Sequence, residues 1–263
     1  MERTAILVLG HGSRRPCANG EVEATVEALR LRHPRLALSH AFIELAQPLL
    51  ADELARLAVR ADRVVVVPLF LFAAGHVKEE LPRALEAARG AFPSVRFEAS
   101  RVFGIHRWML EVAIDRMRST LNASEAASTV LVAVGRGTSD PEANGDFCKV
   151  VRLLGERGDF AWSEPSFIGV TGPRFEAVAE RVALSAPERL LVLPYFLFAG
   201  RLTERLEGQV RAFAERHRGL DVRLAPLLGG HPRVLDVVDE RLAEVLEVGA
   251  DAKCVVCGRS AAA

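Results

Sequence analysis

Cysteine is scarce in this sequence: four residues in 263, with Cys17 and Cys148 standing alone and only Cys254 and Cys257 sharing a C-x-x-C spacing. That excludes a disulfide-stapled scaffold. Net charge is lacking too, since 34 Lys and Arg balance 34 Asp and Glu. The basic excess that grips a phosphate backbone is therefore missing, and no nucleic-acid partner is expected. The longest apolar run, Val64 to Gly75, covers 12 residues and contains Pro68. A membrane helix needs roughly 20, so no membrane segment is expected. The first residues, Met1-Glu2-Arg3-Thr4, lack a basic region ahead of a long apolar stretch, which makes a cytoplasmic setting the expectation. What remains is globular material. With 50% hydrophobic and 26% charged residues the chain is not disordered, and its length suits two domains of about 130 residues.

The sequence repeats itself. Gly10-His11-Gly12-Ser13 lies over Gly135-Arg136-Gly137-Thr138, Phe42-Ile43-Glu44 over Phe167-Ile168-Gly169, and Gly104-Ile105-His106 over Gly229-Gly230-His231, each displaced by 125 residues. Val67-Pro68-Leu69-Phe70-Leu71-Phe72-Ala73 lies over Leu193-Pro194-Tyr195-Phe196-Leu197-Phe198-Ala199 at 126. Each copy alternates short aliphatic strands with helices. In copy one the strands are expected at Thr4 to Gly10, Ala37 to Glu44, Arg63 to Pro68 and Val95 to Ser100. Asn19 is expected to cap the first helix. The pattern predicts an α/β fold of two tandem domains, each a four-stranded parallel sheet flanked by helices. The expected boundaries are 1–122, 123–250 and a tail at 251–263, with Asn122 to Ser128 as linker.

Ligands of open α/β sheets bind outside the carboxyl ends of the strands. In copy one those ends carry His11, Glu44 and, after a short loop, His76. Two imidazoles and a carboxylate can hold a borderline divalent ion, or accept a proton near pH 7 with the carboxylate orienting the base, and both uses fit this trio. Copy two keeps the apolar frame but has Arg136, Gly169 and Arg201 or Leu202 at these places. The trio is lost together, which points to a shared task that copy two does not perform. His106 is demoted by the same logic, because His231 persists opposite it; both read as residues that open the last helix. Around the trio, Ser13 begins a donor-rich helix entry, while Arg14, Arg15 and Lys78 suit an anionic ligand.

Gly10-His11-Gly12-Ser13-Arg14, Phe42-Ile43-Glu44-Leu45-Ala46 and Val67-Pro68-Leu69-Phe70-Leu71-Phe72-Ala73-Ala74-Gly75-His76-Val77-Lys78 together resemble the sirohydrochlorin chelatases of the CbiX and SirB type, in their long, duplicated form. The resemblance implies insertion of Co²⁺ or Fe²⁺ into sirohydrochlorin, on the way to cobalamin or siroheme. His11, His76 and Glu44 would then be the catalytic and metal-binding residues. Ser13, Arg14, Arg15 and Lys78 become candidates to bind the substrate's carboxylates. No ATP-binding glycine-lysine loop is present, so an ATP-independent lyase is expected, acting as monomer or homodimer with one active site per chain. A carrier of metal or tetrapyrrole without turnover is the second reading. Some long relatives resemble this chain in a C-terminal C-x-x-C that binds an iron-sulfur cluster. Cys254 and Cys257 offer two of the four thiolates such a cluster usually needs.

Overall fold

The computed structural model describes residues 2–247, without the side chains of His76, Ala123 and Glu247. Cys254 and Cys257 lie outside the described residues. The chain forms two four-stranded, wholly parallel sheets of the same order. The first is built from β1 (Thr4–Gly10), β2 (Ala37–Phe42), β3 (Arg63–Pro68) and β4 (Arg96–Ala99), arranged β2-β1-β3-β4. The second is built from β5 (Thr129–Gly135), β6 (Trp162–Phe167), β7 (Arg189–Pro194) and β8 (Asp221–Leu224), arranged β6-β5-β7-β8. The helices are α1 (Pro16–Arg32), α2 (Leu50–Ala58), α3 (Leu81–Ala91), α4 (Arg107–Arg118), α5 (Pro141–Arg157), α6 (Phe175–Ala183), α7 (Arg201–Arg216) and α8 (Pro232–Glu247).

Continuous aliphatic strands bury both faces of a sheet, and β1 shows why they must. Leu7 and Leu9 enter a core with Leu54 and Leu57 of α2 and Leu81 and Leu85 of α3. The alternate residues Ile6 and Val8 are equally buried on the opposite face. There Val22 of α1 comes so close that a side chain on Gly10 would meet it at 3.0 Å. The second sheet repeats this with Val130, Val132 and Val134 against Val178 of α6 and Leu206 and Val210 of α7.

Several local expectations need correction. Asn19 does not cap α1, because the helix starts at Pro16 with Arg15 as N-cap. β2 ends at Phe42 rather than Glu44, and β4 spans Arg96–Ala99. The segment expected as a linker is a 3₁₀ turn, Ala123–Ser128. Glu125 ties it down through Arg189 and Arg223, at 3.1 and 2.9 Å.

The compact units are not the two sequence copies. Among the described residues, one comprises 2–104 together with 235–247, and the other Ile105–Val234. Thus α4, written in copy one, belongs to the unit of the second sheet, where it packs on α5 and β7. Most of α8, written in copy two, belongs to the unit of the first sheet. His106 and His231 open these two helices as expected. Their Nδ1 atoms accept from the backbone N–H of Trp108 and of Arg233, each at 3.2 Å.

Candidate active site

The order β2-β1-β3-β4 places a topological switch between β1 and β3. The chain leaves β1 toward one side and later β3 toward the other, which opens a crevice at the carboxyl ends. His11 follows β1 directly. The backbone brings Glu44 beside it: the N–H groups of Ile43 and Glu44 donate to the carbonyls of Gly10 and His11, both at 3.1 Å, extending the β1–β2 ladder past the strand ends. Gly12 makes this approach possible. Its φ is +91°, and a Cβ there would overlap the carbonyl oxygen of Glu44.

The two side chains also converge. His11 Nδ1 lies 3.2 Å from the Gly12 carbonyl oxygen and 3.8 Å from Glu44 Oε1. A carbonyl can only accept, so Nδ1 carries the proton and the ring's lone pair sits on Nε2. Nε2 is then the acceptor nitrogen of the ring, and that atom is itself buried. The Phe70 ring stands 6.3 Å from the imidazole, centroid to centroid. Both site side chains keep access to solvent, at 27% and 46% exposure for His11 and Glu44.

Leu45, next along the chain, has φ +65° and is 48% exposed. The Ala46 N–H donates back to the Glu44 carbonyl at 2.9 Å, closing a tight turn around Leu45. A leucine with positive φ is strained by about 1–3 kcal/mol. Its counterpart Val170 is not among the residues with positive φ. The strain therefore accompanies the carboxylate.

The other candidates divide. Ser13 is held on both sides by Asn19, whose Oδ1 accepts from the Ser13 N–H at 2.9 Å while its Nδ2 donates to the Ser13 carbonyl at 2.9 Å. The Ser13 hydroxyl accepts from the Arg15 N–H at 3.1 Å, so it shapes the loop. Arg14 is exposed, and Arg15 and Lys78 are half-buried. His76 begins a π-helical turn, His76–Glu80, after the loop 69–75, and its side chain lies outside what is described. Among the described residues no three His, Cys, Asp or Glu side chains converge to hold a metal ion. The pair is placed side by side; the third member is placed by its backbone alone. No iron-sulfur ligand set is found among the described residues, where Cys17 is exposed and Cys148 half-buried.

Sequence reasoning missed the clamp made by Asn19 and the strained turn at Leu45. The clamp was detectable, because Asn144 recurs 125 residues later and holds Thr138 in the same way, at 3.1 and 2.8 Å. The turn left no signal, because nothing about a leucine announces a positive φ.

The fold agrees with the comparisons to known proteins. The sirohydrochlorin cobaltochelatase of Priestia megaterium is 33% identical over 259 residues, which cover 96% of this chain and 83% of that one. The sirohydrochlorin ferrochelatase of Bacillus subtilis strain 168 is 29% identical over 243 residues, 92% of each chain. Among solved structures, SirB from Bacillus subtilis with Fe³⁺ matches with a TM-score of 0.80 and 27% identity, over 92% of this chain and 95% of its own. The family profile named CbiX matches residues 5–120 and again 130–245, one match to each copy of the repeat. With both sheets and the helices around them accounted for by that double match, the chain belongs to the CbiX family.

Proposed function

We propose that this protein inserts a divalent metal ion, Co²⁺ or Fe²⁺, into sirohydrochlorin without ATP, and so serves cobalamin or siroheme synthesis in the cytoplasm. The observation that carries this reading is the His11–Glu44 pair at the switch of the first sheet. Metal and tetrapyrrole are both substrates. The macrocycle gives up two pyrrolic protons as the ion forms its bonds to the ring nitrogens, so the site needs a metal ligand and a proton acceptor on one side of the ring.

His11 supplies one of these functions and His76 the other. Glu44 faces Nδ1 of His11, and a carboxylate there stabilises the imidazolium that forms if Nε2 takes a proton. The same contact makes the imidazole a better donor to a metal ion. Arg14, Arg15 and Lys78 are assigned to the carboxylates around the macrocycle. The half-buried Phe70 and the exposed Leu45 offer apolar surface to its face. Copy two, with Arg136 and Gly169 at the matching places, performs no insertion.

The test is anaerobic incubation with sirohydrochlorin and Co²⁺, Fe²⁺ or Ni²⁺ in turn, following the absorbance of the macrocycle. Wild type is expected to exceed the spontaneous rate with at least one ion, and His11→Ala to lose about 10²–10⁴-fold in kcat, the usual contribution of a positioned acid or base. A wild type no faster than the uncatalysed reaction with every ion would remove the proposal. Full activity in both His11→Ala and His76→Ala would remove the site assignment alone.

A further inference from the structure

Arg241 is 6% exposed, although it lies on a helix remote in sequence from the candidate site. Two of its three guanidinium nitrogens bind one short segment. Nε donates to the Val102 carbonyl at 2.9 Å and Nη2 to the Phe103 carbonyl at 2.6 Å, while Nη1 reaches Glu244 at 2.6 Å. That segment is a strap across the loop that leads to His76. The Phe103 N–H donates to the Phe70 carbonyl at 2.9 Å and the Gly104 N–H to the Leu71 carbonyl at 2.8 Å. Phe70 in turn lies against His11.

The other unit repeats part of the device. Arg116, the counterpart of Arg241 at a displacement of 125, donates from Nη2 to the Gly229 carbonyl at 2.6 Å. There the Leu228 N–H donates to the Phe196 carbonyl at 2.9 Å. The strap is thus part of the shared frame, but only in the first unit does the loop beneath it lead to a histidine.

We propose that Arg241 is a positioning residue for the metal-insertion site, fixing the loop 69–75 and the start of the turn at His76 through the strap Val102–Gly104. The assignment rests on the function proposed above. It also gives copy two a task, because the helix that braces the competent site is encoded at the end of that copy.

The test compares wild type, Arg241→Met, Arg241→Lys and, as control, Arg32→Met in the full chain. Arg32 pairs with Asp236 and Asp239 at 2.7 and 2.8 Å, so its loss loosens the same helix away from the strap. Each variant is first shown to be folded at the assay temperature by near-ultraviolet circular dichroism. Hydrogen exchange then reports the strap directly. In Arg241→Met the amides of Phe103 and Gly104 are expected to exchange at least tenfold faster, with those of β1 unchanged. A misplacement near 1 Å can cost about a hundredfold in rate. We therefore expect kcat to fall ten- to a hundredfold, with KM for sirohydrochlorin within threefold of wild type. Arg241→Lys should fall between the two, and Arg32→Met should keep kcat within twofold. Unchanged exchange in Arg241→Met overturns the proposal, as does faster exchange with wild-type kcat. If wild type itself inserts no metal, the functional reading fails, and the exchange measurement still decides whether Arg241 holds the loop.

Discussion

At Gly12 the backbone turns through φ +91° with the Glu44 carbonyl oxygen where a Cβ would stand, and that neighbour belongs to the β1–β2 ladder and cannot swing aside. Gly12→Ala is accordingly expected to cost about 2–3 kcal/mol, from the left-handed conformation and the forced shift together. It should also push Glu44 away from His11. A urea midpoint that drops by that amount, together with insertion activity lowered at full folding, is the expected result; a loss below about 1 kcal/mol would show that the approach is looser. His231 offers a second test. Burial, followed by the charge of Arg116, draws its imidazole below the ordinary value, against the pull of Asp115 at 3.4 Å. Arg233 also opposes its protonation. Because the unfolded chain then protonates first, stability is fullest above pH 6.5 and declines as pH falls below it. The Arg233 N–H donates to Nδ1, so a proton there breaks a helix cap worth about 1 kcal/mol. His231→Asn keeps a cap acceptor without the titration. Thermal melts between pH 7.5 and 5 should diverge, with wild type falling faster; parallel curves would refute the assignment. His11, Glu44 and the capping histidines were legible as residues because strand ends and duplicate positions single them out. Leu45 was not, since its strain comes from a backbone turn that no side chain announces.

At the scale of elements, the strands were the readable part. β1 and β3 run as their aliphatic spans predict, because a strand buried on both faces has no other way to satisfy its side chains. Helix starts were less legible, and α1 shows the reason. Asn19 has the chemistry of a cap, but Pro16 fixes the first turn three residues earlier. The amide is therefore free to grip Ser13 across the entry loop. The glycine after it is a separate matter. Gly20 in α1 and its counterpart Gly145 in α5 have nothing within 4 Å of the place where a Cβ would sit. Neither has a positive φ. Each therefore weakens its helix by about 0.8–1 kcal/mol relative to alanine, with no packing return. Gly20→Ala and Gly145→Ala should each stabilise the protein by about that much, additively because they lie in different units. Denaturant midpoints would measure this, and a destabilised variant would mean that the added methyl group does meet a neighbour within its unit.

For the whole molecule, the duplication was plain in the sequence but the way it is assembled was not. A repeat predicts that each copy folds on itself, and the boundary expected near residue 122 follows from that. Nothing in local pattern distinguishes a last helix that packs on its own sheet from one that packs on the other, since the apolar stripe is the same in both cases. The difference lies in partners. Val237, Val238 and Leu242 of α8 are buried at 0%, 1% and 4% exposure, and Arg63 and Arg241 tie the helix to the first unit. Burial of three such side chains is worth about 5–8 kcal/mol, comparable to the entire stability of a small domain. A fragment of residues 1–122 would lack α8 and carry an unused α4 with Met109, Val112 and Ala113 exposed. It is expected to melt without cooperativity and to associate in gel filtration, although it contains His11, Glu44 and His76. Mixing it with residues 123–263 should restore a cooperative transition and insertion activity, because the second fragment supplies α8 and accepts α4. A fragment 1–122 that melted cooperatively as an active monomer would show instead that the exchanged helix is dispensable and that copy two contributes nothing to the competent site.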